Sequence, residues 1–224
     1  MRTKIITSIF ILFSITTLLS QLNEGHIKFE IDASANTPEM EMAVGMMQGS
    51  TMDIYFSKNN SHSELNMGTM MKVNTIVQGE SGDVLVLMSG MMGNIATPTS
   101  LDALKEKADS KEAPNFDIEL TKKTKTIAGY KCSKAIMINE DGDEMNIWYT
   151  SDIVVNTKGQ SFDYEKIPGF PLAFEANANG LLLTFSAVEV IEGLDKEKKK
   201  EVFSTNIPEG YKEMSPDELN KMGM

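Results

Sequence analysis

Along most of the chain apolar and polar residues alternate with a period of two, the pattern of half-buried β-strands. In "GHIKFEIDA" Ile27, Phe29 and Ile31 share one face, and His26, Lys28, Glu30 and Asp32 share the other. In "TMDIYFS" Met52, Ile54 and Phe56 lie together. "MKVNTIVQ" and "DVLVLM" flank Gly79-Glu80-Ser81-Gly82, a turn short enough to make them antiparallel neighbours. Strands resume at "NFDIELTKKTKTIAGYKCSKAIMIN", and two Gly-containing pairs, Asp141-Gly142 and Asn179-Gly180, are hairpin signals.

Two segments break the alternation in favour of helix. "SLDALKEKADSKE", residues 100–112, is rich in helix formers, repeats Leu101, Leu104 and Ala108 at helical spacing and stops before Pro114. It is expected to cross an open sheet face. "SPDELNKMGM" has Ser215 as N-cap, Pro216 in the first helical position and Glu218 to complete a capping box, so a short C-terminal helix is expected. The charge run "DKEKKKE", residues 195–201, reads as a solvated turn between the last strands. The elements together predict a mainly β (α+β) chain. Its single curled antiparallel sheet, or open half-barrel, carries one helix across the concave side and a short helix at the C-terminus. No internal boundary is visible, so residues 21–224 read as one β-rich domain.

Residues 1–20 have a different character. Arg2 and Lys4 precede an apolar run that ends near Leu19, and Ser20 offers a small residue at a cleavage point before Gln21. That order is a secretory signal peptide, and the apolar run is shorter than the roughly 20 residues a membrane span needs. A periplasmic or secreted chain with no transmembrane span after cleavage is expected. Loss of Arg2 and Lys4 takes the net charge from −11 to −13 and removes the only arginine. A negative chain without arginine is unsuited to nucleic acid or to bidentate phosphate binding. Cys132 is the single cysteine, so no internal disulfide is possible, and it reads as a small buried hydrophobe.

Catalytic patterns are sparse. His26 and His62 have no metal-ligand spacing and read as exposed structural residues. No nucleophile elbow, Ser-x-x-Lys or Gly-rich phosphate loop is present, and "EDGDE" suits a hairpin turn better than a calcium loop. A non-enzymatic role without cofactor is expected. Methionine is the unusual residue: 11 of 17 fall in positions 40–92. Two readings stand side by side. Thioethers are soft ligands suited to Cu(I) or Ag(I), and Met67, Met70, Met71, Met88, Met91 and Met92 are the candidates. In a continuous strand Met67 and Met70 point to opposite faces, so they converge only if the chain turns at Gly68-Thr69. Methionine is also the adaptable filler of an apolar surface that holds a ligand or partner, and this is the favoured reading, because the spacing is compatible with a metal site without demanding one.

The run Thr126-Ile127-Ala128-Gly129-Tyr130-Lys131-Cys132, the following hairpin, Ile147-Trp148-Tyr149-Thr150 and "IPGFPLAFE" resemble an exported family, domain of unknown function 4412. They are also similar to the related GLPGLI proteins common in Bacteroidetes. The resemblance implies an open half-barrel of the LolA/LolB-like kind, with a hydrophobic concave face of the sort that binds lipid or acyl chains. It carries over no functional residue, and no lipobox cysteine is present. The leading expectation is an exported binding protein holding an apolar ligand (lipid or acyl chain) or an envelope protein partner. Met52, Met71, Met88, Leu172, Phe174 and Phe185 are its candidate ligand-binding residues. The alternatives are a Met-rich Cu(I)/Ag(I)-binding envelope protein and a purely structural one.

Overall fold

The computed structural model describes residues 21–35, 37–91, 93–109, 116–140, 142–155, 167–178 and 180–221. The expected signal peptide, Met92, Asp141 and Asn179 lie outside these residues. Strands β1 (Glu24–Ala35), β2 (Thr51–Ser57), β3 (Asn60–Met67), β4 (Met71–Gln78), β5 (Asp83–Gly90) and β6 (Gly93–Ser100) form one run. Strands β7 (Asp117–Ile127), β8 (Tyr130–Ile138), β9 (Glu144–Thr150), β10 (Phe170–Ala178) and β11 (Leu181–Glu192) form a second, and β12 (Lys212–Glu213) is a short addition. All join one sheet in the order β12-β6-β5-β4-β3-β2-β1-β11-β10-β9-β8-β7, antiparallel except for β12 against β6. The ends, β7 and β12, do not pair, so the sheet is open.

The sheet is strongly curled. Leu22, just before β1, accepts from Val154 N at 2.8 Å and donates its own N–H to Asp152 O at 2.7 Å, just past β9. Two strands, β11 and β10, separate β1 from β9, so a flat sheet would hold them about 14 Å apart at ~4.8 Å per strand.

Alternation fixes two faces, and the cross-strand register lets each be followed. On the first face Ile27 lies opposite Ile54 and Val190, Phe29 opposite Met52 and Ala187, and Ile31 opposite Phe185. This face forms the main core, with Ile27 and Phe29 at most 1% exposed. On the second face Ile76, Leu85, Leu87 and Ala96 pack under Ile207 and Tyr211.

The expected helix over 100–112 is α2, Leu101–Asp109. Ser100 ends β6 and caps the helix, its Oγ accepting from Ala103 N at 3.2 Å. Leu101 N also donates to Gly82 O at 2.9 Å, which pins α2 over the β4–β5 turn. Leu101 and Leu104 then pack on Val77, Val84 and Val86 of the first face, near one end of the strand order. The C-terminal helix, Pro216–Lys221, has the expected capping box: Ser215 N donates to Glu218 Oε2 at 2.8 Å, and Glu218 N donates to Ser215 Oγ at 3.3 Å.

Helix content departs from the expectation in two places. The Met-rich segment before β2 holds a 3-10 turn, Pro38–Met40, and a helix α1, Glu41–Met46. Residues 195–201 are not a solvated turn: they fold into α3, Lys196–Val202, with Asp195 as N-cap accepting from Lys198 N at 2.7 Å. A Lys/Glu run is a good helix former once capped, and Val202 and Phe203 supply the apolar residues that seat it. The C-terminal helix is therefore α4.

Ile167-Pro168-Gly169 leads into β10, with Gly169 N donating to Ile167 O at 2.8 Å. A Cβ at Gly169 would stand 2.3 Å from Thr150 O and 2.6 Å from Thr150 C, both backbone atoms that cannot swing aside. Gly45, by contrast, has nothing within 4 Å of the same position. Gly169→Ala is therefore expected to cost at least about 1–3 kcal/mol as an overpacking strain, and Gly45→Ala to cost nothing. Urea unfolding of both variants beside the parent chain checks the contrast, which fails if Gly169→Ala unfolds at the parental midpoint.

Candidate functional site

The main core cluster on the first face gathers four of the six candidate ligand-binding residues. Met52 sits opposite Phe29 on one side and Leu65 on the other. Phe174 is opposite Phe185, their rings stacked at 4.4 Å, and the Phe29 ring meets Phe174 edge-on at 6.3 Å. Leu172 is fully buried in the same cluster. Met71 and Met88 lie farther along that face, on β4 and β5.

Above this layer lies α1. Met40, Ala43, Val44 and Met47 pack into the cluster that also holds Met52, Leu65, Met67 and Met70. Yet none of the residues of α1 itself is buried; only Met47, its C-cap, is, at 2% exposure. Met42 stands 79% exposed, and no side chain caps the N-terminus of the helix. The docking contact is a backbone one: Thr69 N, in the β3–β4 turn, donates to Met46 O at 3.1 Å. Gly68 makes that approach possible, since it has φ +57° and a Cβ there would lie 2.3 Å from Met46 O.

The chain does turn at Gly68-Thr69, with Met70 N donating to Met67 O at 3.0 Å. The register sets Met67 directly opposite Met71, while Met70 occupies the turn. Met91, at the β5–β6 turn, is 88% exposed.

The second face holds a polar cluster that the sequence reading missed. His26 and His62 are not exposed; they are 8% and 6% exposed, because α3 covers the polar side of the early strands. His26 Nε2 lies 2.6 Å from Asp53 Oδ1 and its ring stacks on Tyr55 at 4.0 Å. Tyr55 in turn neighbours His62 at 5.8 Å, and Lys198 of α3 sits 5.3 Å above its ring. Burial, with Glu64 and Asp53 beside it, pushes the Tyr55 hydroxyl up to about 12. A second contact from α3 is Lys199 Nζ to Glu24 Oε2 at 2.6 Å. Lys199, with Ser57 and Leu194 N, holds the Glu24 carboxyl below its ordinary value. Among the described residues no group of three or more His, Cys, Asp or Glu is placed to hold a metal ion, and no helix is long and apolar enough to cross a membrane.

A groove of about 1010 Å³ opens where the start of β1 meets the β7–β8 hairpin tip. Ala128, Gly129, Tyr130 and Lys131, four residues of the motif quoted above, form one wall, and Glu24 and Glu192 stand on the other side. Tyr130 Oη donates to Glu192 Oε1 at 3.2 Å across it. Cys132, one residue past the groove, is fully buried, and that burial pushes its thiol up to about 11.

Burial holds the His62 pKa below the ordinary 6.5, opposed by Glu64, whose Oε1 is 3.6 Å away, and by the Val202 backbone, and reinforced by Lys72 and Lys198. On acidification the unfolded chain takes that proton first. The stability owed to neutral His62 is therefore present above about 6.5 and is lost as pH falls toward the lower folded value. His62→Gln is expected to flatten the dependence of the urea midpoint between about pH 7.5 and 5.5. An unchanged slope would assign the acid sensitivity elsewhere.

Residues 93–210 match the family model described as the N-glycanase peptide, N-terminal domain. Comparison with curated proteins finds no match. A solved structure of PNGF-II is 12% identical with a TM-score of 0.45, over 88% of this chain and 33% of that one. This chain thus spans about a third of the length of PNGF-II. A beta-barrel-like protein of domain of unknown function 1849 from Brucella abortus is 7% identical with a TM-score of 0.37, over 79% of this chain and all of the other. A LolA superfamily protein from Nitrosomonas europaea is 9% identical with a TM-score of 0.21, over 80% and 90% of the two chains. The family match spans more than half of the chain and includes the 126–132, 147–150 and 167–175 segments on which the motif resemblance was drawn. The chain belongs to the N-glycanase peptide N-terminal domain family.

Proposed function

We propose that this chain is an exported, non-catalytic binding protein that takes a lipid acyl chain onto its first face when α1 moves aside. The observation that carries this reading is the contrast between α1 and what it covers. A helix that buries none of its own six residues roofs a layer of methionines and aromatics. Burying Met47 is worth about 1.5–3 kcal/mol, with smaller contributions from half-buried Met40, Ala43 and Val44. An entering acyl chain gains ~0.8 kcal/mol per buried methylene, so roughly four methylenes offset the loss of Met47. Thioether side chains, unbranched and with three rotatable bonds, re-pack around such a chain more readily than leucines.

Three further points support the reading. His26 and Cys132 are both buried, and the Cys132 thiol is pushed up to about 11, so neither is presented at the surface to a substrate. The likeness to exported proteins of domain of unknown function 4412, together with the signal-like residues 1–20, favours a role outside the cytoplasm. Membership in a family defined by an N-terminal domain is compatible with a module that binds rather than reacts.

A cross-link tests it. Met46 and Thr69 are joined by a backbone hydrogen bond, so Met46→Cys with Thr69→Cys brings two thiols within disulfide range. Cis-parinaric acid, a fluorescent fatty acid, is expected to brighten with the parent chain and with the reduced double variant, and not with the oxidised one. Equal brightening when α1 is locked would move the site elsewhere, and no brightening with the parent chain would end the lipid reading.

A further inference from the structure

We propose that Met67, Met71 and Met88 form a thioether site for a soft monovalent cation, Cu(I) or Ag(I), on the first face where β3, β4 and β5 meet. The register carries the proposal. Met67 and Met71 are direct cross-strand partners. Gly90 is the partner of Met71 on β5, and Met88 lies two residues back, opposite Val73. All three methionines therefore project from one face of three adjacent strands. Met67 and Met71 are directly opposed, with Cβ atoms about 4.5–5.5 Å apart, and Met71 and Met88 are diagonal neighbours at about 7–8 Å, so Met71 is the shared member toward which the flexible stems of the other two reach.

Gly90 matters to the geometry. A Cβ there would meet Met70 O at 2.9 Å and Met71 Cβ at 3.4 Å, so any larger residue would fill the space beside Met71. With glycine in place, no side chain on β5 stands between Met71 and Met88. Met71 is 36% exposed and Met67 and Met88 are half-buried, so an ion can reach sulfurs that are otherwise backed by apolar residues.

The surroundings set the class of ion. Strand alternation sends the charged residues of these strands, Glu64, Lys72 and Asp83, to the second face, where Glu64 and Lys72 pair at 3.3 Å. His26 and His62 also belong to that face. The site thus offers sulfur without carboxylate or imidazole, a donor set that favours Cu(I) and Ag(I) over Zn(II), Mg(II) or Ca(II). Met91, at the exposed turn, and Met42, on the outer side of α1, lie outside it.

Silver ion alone is the first probe, in chloride-free buffer, followed by native mass spectrometry and calorimetric titration of the mature chain. One Ag(I) per chain is expected. Met67→Leu, Met71→Leu and Met88→Leu are each expected to weaken it at least tenfold, while Met42→Leu, Met91→Leu and Cys132→Ala leave it unchanged. Leucine conserves volume and apolar character, and circular dichroism with an unchanged urea-unfolding midpoint shows each variant folded. In the parent chain the ε-methyl NMR signals of these three methionines are expected to shift on loading. No retained Ag(I), retention indifferent to all three Leu variants, or loss with Cys132→Ala would each overturn the site.

Discussion

The pairing of β1 with β11 is the constraint on which both faces depend. Each is a 12-residue strand, and their ladder joins the β2–β6 run to the β7–β10 run. It is also distant in sequence: the Lys28–Glu189 bond across it spans 161 positions. Contacts of that separation carry a higher loop-closure cost than the local hairpins on either side, which favours slow formation of the seam. Once formed, the seam places Ile27, Phe29 and Ile31 against Val190, Ala187 and Phe185 and so builds the floor of the first face. The single irregularity in that register, between Lys28 and Phe29, puts one extra residue, Val188, in β11 while keeping apolar residues on the same side above and below it.

Much of this was legible in the chain because strand alternation, Gly-containing turns and capping boxes are local signals. The faces of β1 and β2, the turn before β5, the antiparallel pairing of β8 with β9 and of β10 with β11 and the Ser215 cap all follow from neighbours within a few residues. What escaped was tertiary. His26 and His62 alternate onto the polar side of their strands, and nothing within those strands says that α3 will cover that side. The Lys/Glu run of α3 looks like a solvated turn until Val202 and Phe203 are seen to seat it. In the Met-rich segment, α1 is short and contains a glycine, so its helical signal is weak by itself and its docking depends on Gly68, more than twenty residues on.

Methionine fills the region between α1 and α2 for a physical reason. A curled sheet offers an apolar surface whose depth varies along each strand, and branched side chains hold fixed shapes that suit only one depth. An unbranched thioether adjusts. The same freedom that lets Met52 and Met67 fill the floor under α1 is what the proposed acyl-chain and thioether sites draw on.

The sulfur-bearing and the charged side chains of the early strands stay apart because the pleat keeps them apart. With a side-chain period of two, Leu65, Met67, Met71 and Met88 go to one face, while His62, Glu64 and Lys72 go to the other, and a one-residue slip would exchange the sets. A mixed site of sulfur, imidazole and carboxylate would bind common divalent ions indiscriminately. Segregation across the sheet leaves thioethers in an apolar setting on one side and a His–Tyr–carboxylate layer under α3 on the other. The binding selectivity argued for the first face is therefore a property of register as much as of composition. That register is held by the β3–β4 and β4–β5 turns at Gly68 and Gly82, the same turns that receive α1 and α2.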